Sequence, residues 1–150
     1  MSVNDLQEIG DRLLVIFDGR CGFCNGAVRW FLRRDRRDRL RFVASDSPAM
    51  AGLLARHRID GAETPDGPGS LLIARAVGTA HEEILNRSTA ALAMLAELPG
   101  GWPAIAAVLG IIPPPLRDAV YELVARNRYR LRGRLKACPT PTAAEREHFL

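Results

Sequence analysis

Cys21 and Cys24, separated by Gly22 and Phe23, have the residue type and spacing of a redox dithiol. They follow the apolar run Leu13-Leu14-Val15-Ile16-Phe17 and open a stretch of helical periodicity, which puts both on the first turn of a helix. Two cysteines at that spacing can close a small disulfide ring. The unpaired backbone N–H groups of a helix N-terminus also favour a thiolate over a thiol. The chemistry this allows is thiol–disulfide exchange. Cys21, expected to be the more exposed of the pair and the nearer to those N–H groups, attacks a substrate disulfide. Cys24, one turn further in, resolves the mixed disulfide. A helix terminus contributes only about 0.3–1 kcal/mol at exposed sites, while one pKa unit needs about 1.4 kcal/mol. Local N–H hydrogen bonds and the partner thiol must therefore contribute, with Arg20 a weaker candidate.

Asp18 stands three residues before Cys21, where an ionised carboxylate close to the thiols would oppose their ionisation. Two arrangements avoid that conflict. In one, Asp18 is buried with a raised pKa and moves a proton to or from Cys24 during resolution. In the other, it turns away and accepts hydrogen bonds from loop N–H groups between Gly19 and Cys21.

A metal-binding or inert role for the pair is the alternative. A tetrahedral zinc site wants four ligands, yet only Cys138 and the scattered His57, His81 and His148 remain, with no second Cys-x-x-Cys. Asn25 occupies the position where covalent haem attachment needs histidine, which excludes that cofactor. The expected set is thus Cys21, Cys24 and Asp18, with no bound cofactor or metal and an external thiol as electron donor or acceptor.

The elements that position this set follow from pattern. Arg12 to Asp18 reads as a strand buried on both faces, ending at an Asp-Gly turn. From Cys24 to about Arg34, Ala27, Val28, Phe31 and Leu32 recur at helical spacing. Leu40 to Ala44 reads as a second strand. Ser47 or Asp46 caps a helix from Pro48 through His57, and residues 61–69 form a loop rich in Gly and Pro. Ser70 to Ala74 and Glu83 to Leu85 form a hairpin across Gly78. Ser88 caps a helix that stops at Pro99-Gly100-Gly101, and Pro103 starts another that stops at Gly110. Leu116, Val120, Leu123, Val124 and Leu131 trace an apolar stripe on a last helix, expected to face the core, with arginines on the remainder. The tail after Gly133 reads as extended. The chain is thus an α/β domain over residues 1–150: a mixed-sheet core at about 12–98, a helical extension at about 102–135 and a tail at 136–150.

Composition bounds the rest. A chain of 150 residues, 47% hydrophobic and 25% charged, can bury a continuous core without disulfide staples. Three cysteines are too few, and odd in number, for a secreted disulfide framework. The first twelve residues carry Asp5, Glu8 and Asp11 and lack a basic start before an apolar core, so they do not read as a signal peptide. The most apolar stretch, Trp102 to Leu116, is broken by proline and glycine and falls short of the roughly 20 residues that span a bilayer. A reducing, cytoplasmic location is expected.

The segment Asp18-Gly19-Arg20-Cys21-Gly22-Phe23-Cys24-Asn25 resembles the signature of the DCC family of thiol–disulfide oxidoreductases, named for an Asp-x-x-Cys-x-x-Cys motif on a thioredoxin-like fold. Phe31-Leu32-Arg33-Arg34-Asp35, Arg87-Ser88-Thr89-Ala90-Ala91, Arg117-Asp118-Ala119-Val120-Tyr121 and Ala125-Arg126-Asn127-Arg128-Tyr129-Arg130 are also similar to stretches of that family, so the resemblance covers residues 12–139. It implies a thioredoxin-like mixed sheet with flanking helices, a redox-active disulfide, and a disulfide or dithiol substrate, either protein or small molecule. Thioredoxin itself keeps a cis-proline immediately before the strand facing its dithiol. Here Gly69 separates Pro68 from Ser70-Leu71-Leu72, so Pro68 is not expected to fill that role.

Other features have plainer readings. The arginines from Arg29 to Arg41 are interleaved with Trp30 and Phe42, but Asp35 and Asp38 interrupt them, as on a solvated helix end. With a net charge of +4, nucleic acid is not an expected partner. The basic stripe from Arg117 to Arg134 offers a different class of function, a binding module for an anionic membrane surface or a protein partner. Cys138 is a possible third thiol. Trp30, Trp102, Tyr121 and Tyr129 read as fillers of core or half-buried positions, and His57 as a helix-end cap.

Overall fold

The computed structural model describes residues 9–58 and 71–150. The expected loop at 61–69, with Pro68, lies outside the described residues.

Strand β1, Leu13–Phe17, is buried along its whole length, as its unbroken apolar run requires. β2, Leu40–Ala44, pairs with it in parallel on one side. β3, Leu72–Arg75, pairs antiparallel on the other side, and β4, Glu83–Asn86, pairs antiparallel with β3. The sheet order is β2-β1-β3-β4. The turn between β3 and β4 passes through left-handed backbone at Ala76 and Gly78, where the sequence placed it.

Alternate residues of β1 enter two different cores, because side chains alternate across a sheet. Leu14 and Ile16 pack with Val43, Met50, Leu53 and Leu72 on the face covered by α2, Pro48–Arg56. Leu13, Val15 and Phe17 pack with Val28, Phe42, Ala90, Met94 and Leu98 on the face covered by α1, Gly22–Leu32, and α3, Arg87–Glu97. The result is the expected α/β class, a mixed sheet between helices. Helix α3 starts one residue earlier than its expected cap. Asn86 stands at the N-cap, and Ser88 is buried inside the first turn, where its hydroxyl is taken by Asp118.

Two further helices follow, α4 (Trp102–Gly110) and α5 (Pro114–Arg132). Trp102 meets Trp30 of α1 edge to face at 4.9 Å between ring centroids, and the Arg34 guanidinium stacks 3.9 Å from the Trp30 ring. An edge-to-face aromatic pair adds about 0.5–1.5 kcal/mol beyond burial, enough to fix α4 against α1.

Helix α5 overturns one expectation. Most of its apolar stripe does not enter the core: Leu116, Val120 and Leu123 are 62%, 64% and 63% exposed, and Leu131 is also exposed, while Val124 turns toward α1 and α3. The face turned inward carries Tyr121 and Arg128 instead, because the hydrogen bond that the Leu71 N–H donates to Tyr121, Asp118's grip on Ser88 and an ion pair to Asp18 anchor the helix by that side. Polar anchoring, rather than apolar area, decides which way this helix faces.

The tail also differs from a simple extended run. Gly133, at φ 72°, ends α5, after which the chain crosses the Cys21 turn. A short 3-10 turn at Arg146–His148 then leads Phe149 against Phe17 and Phe42, and the Leu150 N–H donates to the Phe42 carbonyl.

Candidate active site

The crossover from β1 to α1 brings Asp18, Cys21 and Cys24 together at the carboxyl end of the central strand, where open α/β sheets place their sites. The loop is tied by its own backbone. The Cys21 N–H donates to the Asp18 carbonyl at 3.2 Å, and the Asn25 amide donates to the carbonyls of Gly19 and Cys21 at 2.8 and 3.0 Å. Cys21 is the N-cap of α1, and its Sγ accepts the Cys24 backbone N–H at 3.2 Å. A sulfur in that position sits at the positive end of the helix dipole.

Exposure runs opposite to the sequence expectation. Cys21 is 0% exposed, while Cys24 is half-buried. The cover comes from the far end of the chain. The Gly22 N–H donates to the Gly133 carbonyl at 3.2 Å, the Leu135 N–H to the Arg20 carbonyl at 2.7 Å, and Cys21 forms an isolated antiparallel bridge with Arg134. Residues 133–135 thus form a strap over the Cys21 turn. Gly22 is needed there, since a Cβ at that position would stand 2.5 Å from the Arg132 carbonyl oxygen.

Burial, together with a hydrogen bond to the Cys21 sulfur and the charge there, pushes the Cys24 thiol far up, and Asp18 adds to this while Arg128 opposes it. Cys24 therefore keeps its proton in the neutral range.

Asp18 takes neither sequence arrangement alone. Its Oδ1 accepts the Arg20 N–H at 2.9 Å, the loop bond of the second arrangement. Its Oδ2 accepts the Tyr129 hydroxyl and lies 3.7 Å from Arg128 Nη2, with the Asp18 and Arg128 side chains only 11% and 10% exposed. Arg128 also donates to the Tyr129 oxygen at 3.1 Å, which completes a chain from guanidinium through phenol to carboxylate. Burial and then the bond to Asp18 push the Tyr129 hydroxyl up, so it remains a donor. Arg20, by contrast, points to Asp46 at 3.9 Å.

Tyr121 and Tyr129, which read as fillers in the sequence, and Arg128, which reads as part of the basic stripe, lie beside the dithiol loop. Tyr121 takes the Leu71 N–H at 2.8 Å on its hydroxyl oxygen. The available signal was spacing: Tyr121 and Arg128 are seven residues apart, two turns along one helix face. Cys138 does return to the dithiol loop, since a Cβ on Gly19 would meet its Sγ at 2.9 Å. The three cysteines are free.

Among the described residues, no third His, Cys, Asp or Glu atom joins Cys21 and Cys24 in a ligand group. The group that does form, Asp35, Asp38 and His148, is already used. Asp35 accepts the Arg39 and Leu40 N–H groups, and Asp38 pairs with Arg12 and Arg41. Within the arginine run, Arg41 thus pairs with Asp38 and Arg39 with Glu97. His57 contacts Glu82 at 2.8 Å, remote from the cysteines. No described helix is by itself long and apolar enough to cross a membrane, and α4 and α5 meet at a 115° bend.

A family described as DCC1-like thiol-disulfide oxidoreductase matches residues 15–134. The uncharacterized protein YuxK of Bacillus subtilis (strain 168) is 30% identical over 144 residues, covering 96% of this chain and 97% of that protein. A DCC family protein of Arabidopsis thaliana, described as chloroplastic, is 32% identical over 131 residues, covering 87% of this chain and 71% of that protein. No solved structure matches the chain.

Proposed function

The chain belongs to the DCC1-like thiol-disulfide oxidoreductase family, and on that premise we propose that Cys21 and Cys24 are a working redox dithiol. The observation that supports it most is the hydrogen bond from the Cys24 N–H to Cys21 Sγ at the cap of α1, beside a Cys24 thiol that retains its proton. Cys21 attacks one sulfur of a substrate disulfide as the thiolate. A Cys21–substrate disulfide forms, and the other sulfur leaves as a thiolate. Cys24 then gives up its proton and attacks the Cys21 sulfur, releasing the second substrate thiol. Substrate gains two electrons and two protons, and the pair becomes a disulfide that an external thiol reduces. The reverse sequence oxidises a dithiol. Asp18 acts as a positioning residue that holds the loop to α5 through Tyr129 and Arg128.

Attack by Cys21 requires the strap to lift. Its two backbone hydrogen bonds are worth about 0.5–1.5 kcal/mol each, a cost that thermal opening meets readily. The test is trapping. Cys24→Ser should accumulate a mixed disulfide on Cys21, and Cys21→Ser should abolish exchange. Undiminished disulfide reduction by Cys21→Ser would overturn the mechanism.

A second reading is favoured by the outward face of α4 and α5. Val108, Ile111, Leu116, Val120 and Leu123 are exposed there, with Arg126, Arg130 and Arg132 exposed on the same helix pair. Apolar side chains bordered by arginines suit an anionic lipid surface, and a second copy of this face would bring like charges together. Reversing the charge of Arg126, Arg130 and Arg132 should release the protein from phosphatidylglycerol vesicles. No binding of the unaltered protein to such vesicles would remove this reading. Arg128 is left out because it is buried against Asp18.

A further inference from the structure

Cys24, and not Cys21, opens into a cavity of about 280 Å³ enclosed by β1, α1, α3 and α5. Its wall is almost wholly apolar, built from Phe23, Phe31, Met94 and Val124 among others. The polar residues in its lining are Cys24, Tyr121, Asp18 and Arg128. Sites that take small molecules have this character, an apolar concavity with a few convergent polar groups.

We propose that this cavity is the substrate subsite and that it takes the apolar, preferably aromatic, substituent of a low-molecular-weight disulfide. The inference rests on the dithiol reading above and adds the class of substrate. Size argues for it: a dry cavity of about 150 Å³ holds a benzene ring, so this one holds a ring with several further carbons. Chemistry argues for it as well. A charged or strongly hydrated substituent, such as a peptide-like thiol carries, would lose its water here against apolar walls, with Asp18 and Arg128 already committed to each other. With the substituent in the cavity, its sulfur lies on the Cys24 side, and Cys21 reaches it once the strap of residues 133–135 lifts. Attack there forms Cys21–S–S–R and expels the outer thiolate. Cys24 then displaces R–S⁻, which takes up a proton and leaves the dithiol oxidised.

The test compares two disulfides with the purified, reduced protein: cystamine, and the mixed disulfide of benzyl mercaptan with cysteamine. The expected result is a kcat/KM at least about tenfold higher for the benzyl compound, the scale of discrimination an apolar pocket provides. The advantage should fall to within about threefold of unity in Ala91→Phe, which fills the cavity from α3. Binding of the neutral dye N-phenyl-1-naphthylamine gives a readout free of chemistry, and its fluorescence should rise with the unaltered protein and not with Ala91→Phe. Equal kcat/KM for the two disulfides, or a preference for the protein disulfides of insulin over the benzyl compound, would overturn the cavity proposal and leave the dithiol reading standing. Reduction of none of these disulfides, with dye still bound, would overturn the dithiol reading and the substrate assignment with it.

Discussion

Tyr129 donates its hydroxyl hydrogen to the Asp18 carboxylate across 111 residues of chain, and so fastens the end of α5 to the loop that carries the dithiol. Replacing it with phenylalanine keeps the ring and removes the donor. Asp18 then retains Arg20 N–H and Arg128 but loses its closest partner, in a site where little water reaches. The expected cost is about 1–3 kcal/mol, the penalty for leaving a buried polar group under-satisfied. Urea unfolding of Tyr129→Phe measures it, and a loss below about 0.5 kcal/mol would show that the bond does not carry the loop.

Gly22→Ala tests the strap. Alanine is normally the better helix residue, so propensity alone would stabilise α1. Here its Cβ would meet the Arg132 carbonyl oxygen at 2.5 Å and that of Gly133 at 3.3 Å, and the strap must shift. Cys21 should then become more accessible, with alkylation by iodoacetamide faster by about tenfold, equivalent to 1.4 kcal/mol of easier opening. Mass spectrometry locating the label reads this directly. An unchanged Cys21 rate would mean that the strap is not what shields it.

Acid sensitivity should trace partly to Asp38. Hydrogen bonding from Arg41, and then from Arg12, holds its carboxyl down at about 2 from an ordinary 3.8. A depressed carboxylate contributes stability that is complete above the unfolded value and is lost as pH falls through the folded one. The melting temperature gap between the native protein and Asp38→Asn should therefore narrow between pH 4 and 2. Since the Asp38 side chain is 46% exposed, salt should also narrow it. A gap constant from pH 5 to 2 would exclude this ion-pair cluster as the cause.

Much of this architecture could be read from the chain. The uninterrupted apolar run of β1, the dithiol on the first turn of α1, and the β3–β4 hairpin at Gly78 all depend on neighbours in sequence, and local pattern shows them. What escaped depends on residues far apart. Cys21 is buried because Gly133 to Leu135 cross it, and nothing within ten residues of the motif announces that. Tyr129 and Arg128 looked like fillers and surface charge until the fold set them against Asp18. The α5 stripe misled for a related reason: apolar periodicity was present, but polar bonds from Tyr121 and Asp118 fixed the opposite face inward.

Cycling of Cys21 and Cys24 between dithiol and disulfide is read out by redox equilibration. Purified protein is equilibrated over graded ratios of reduced to oxidised dithiothreitol, alkylated, and mapped by mass spectrometry. The expected result is a single reversible two-electron transition in which Cys21 and Cys24 lose label together as the bridge forms, with Cys138 labelled throughout. Cys21 and Cys24 remaining alkylated at every ratio, or a bridge that forms only through Cys138, would contradict it.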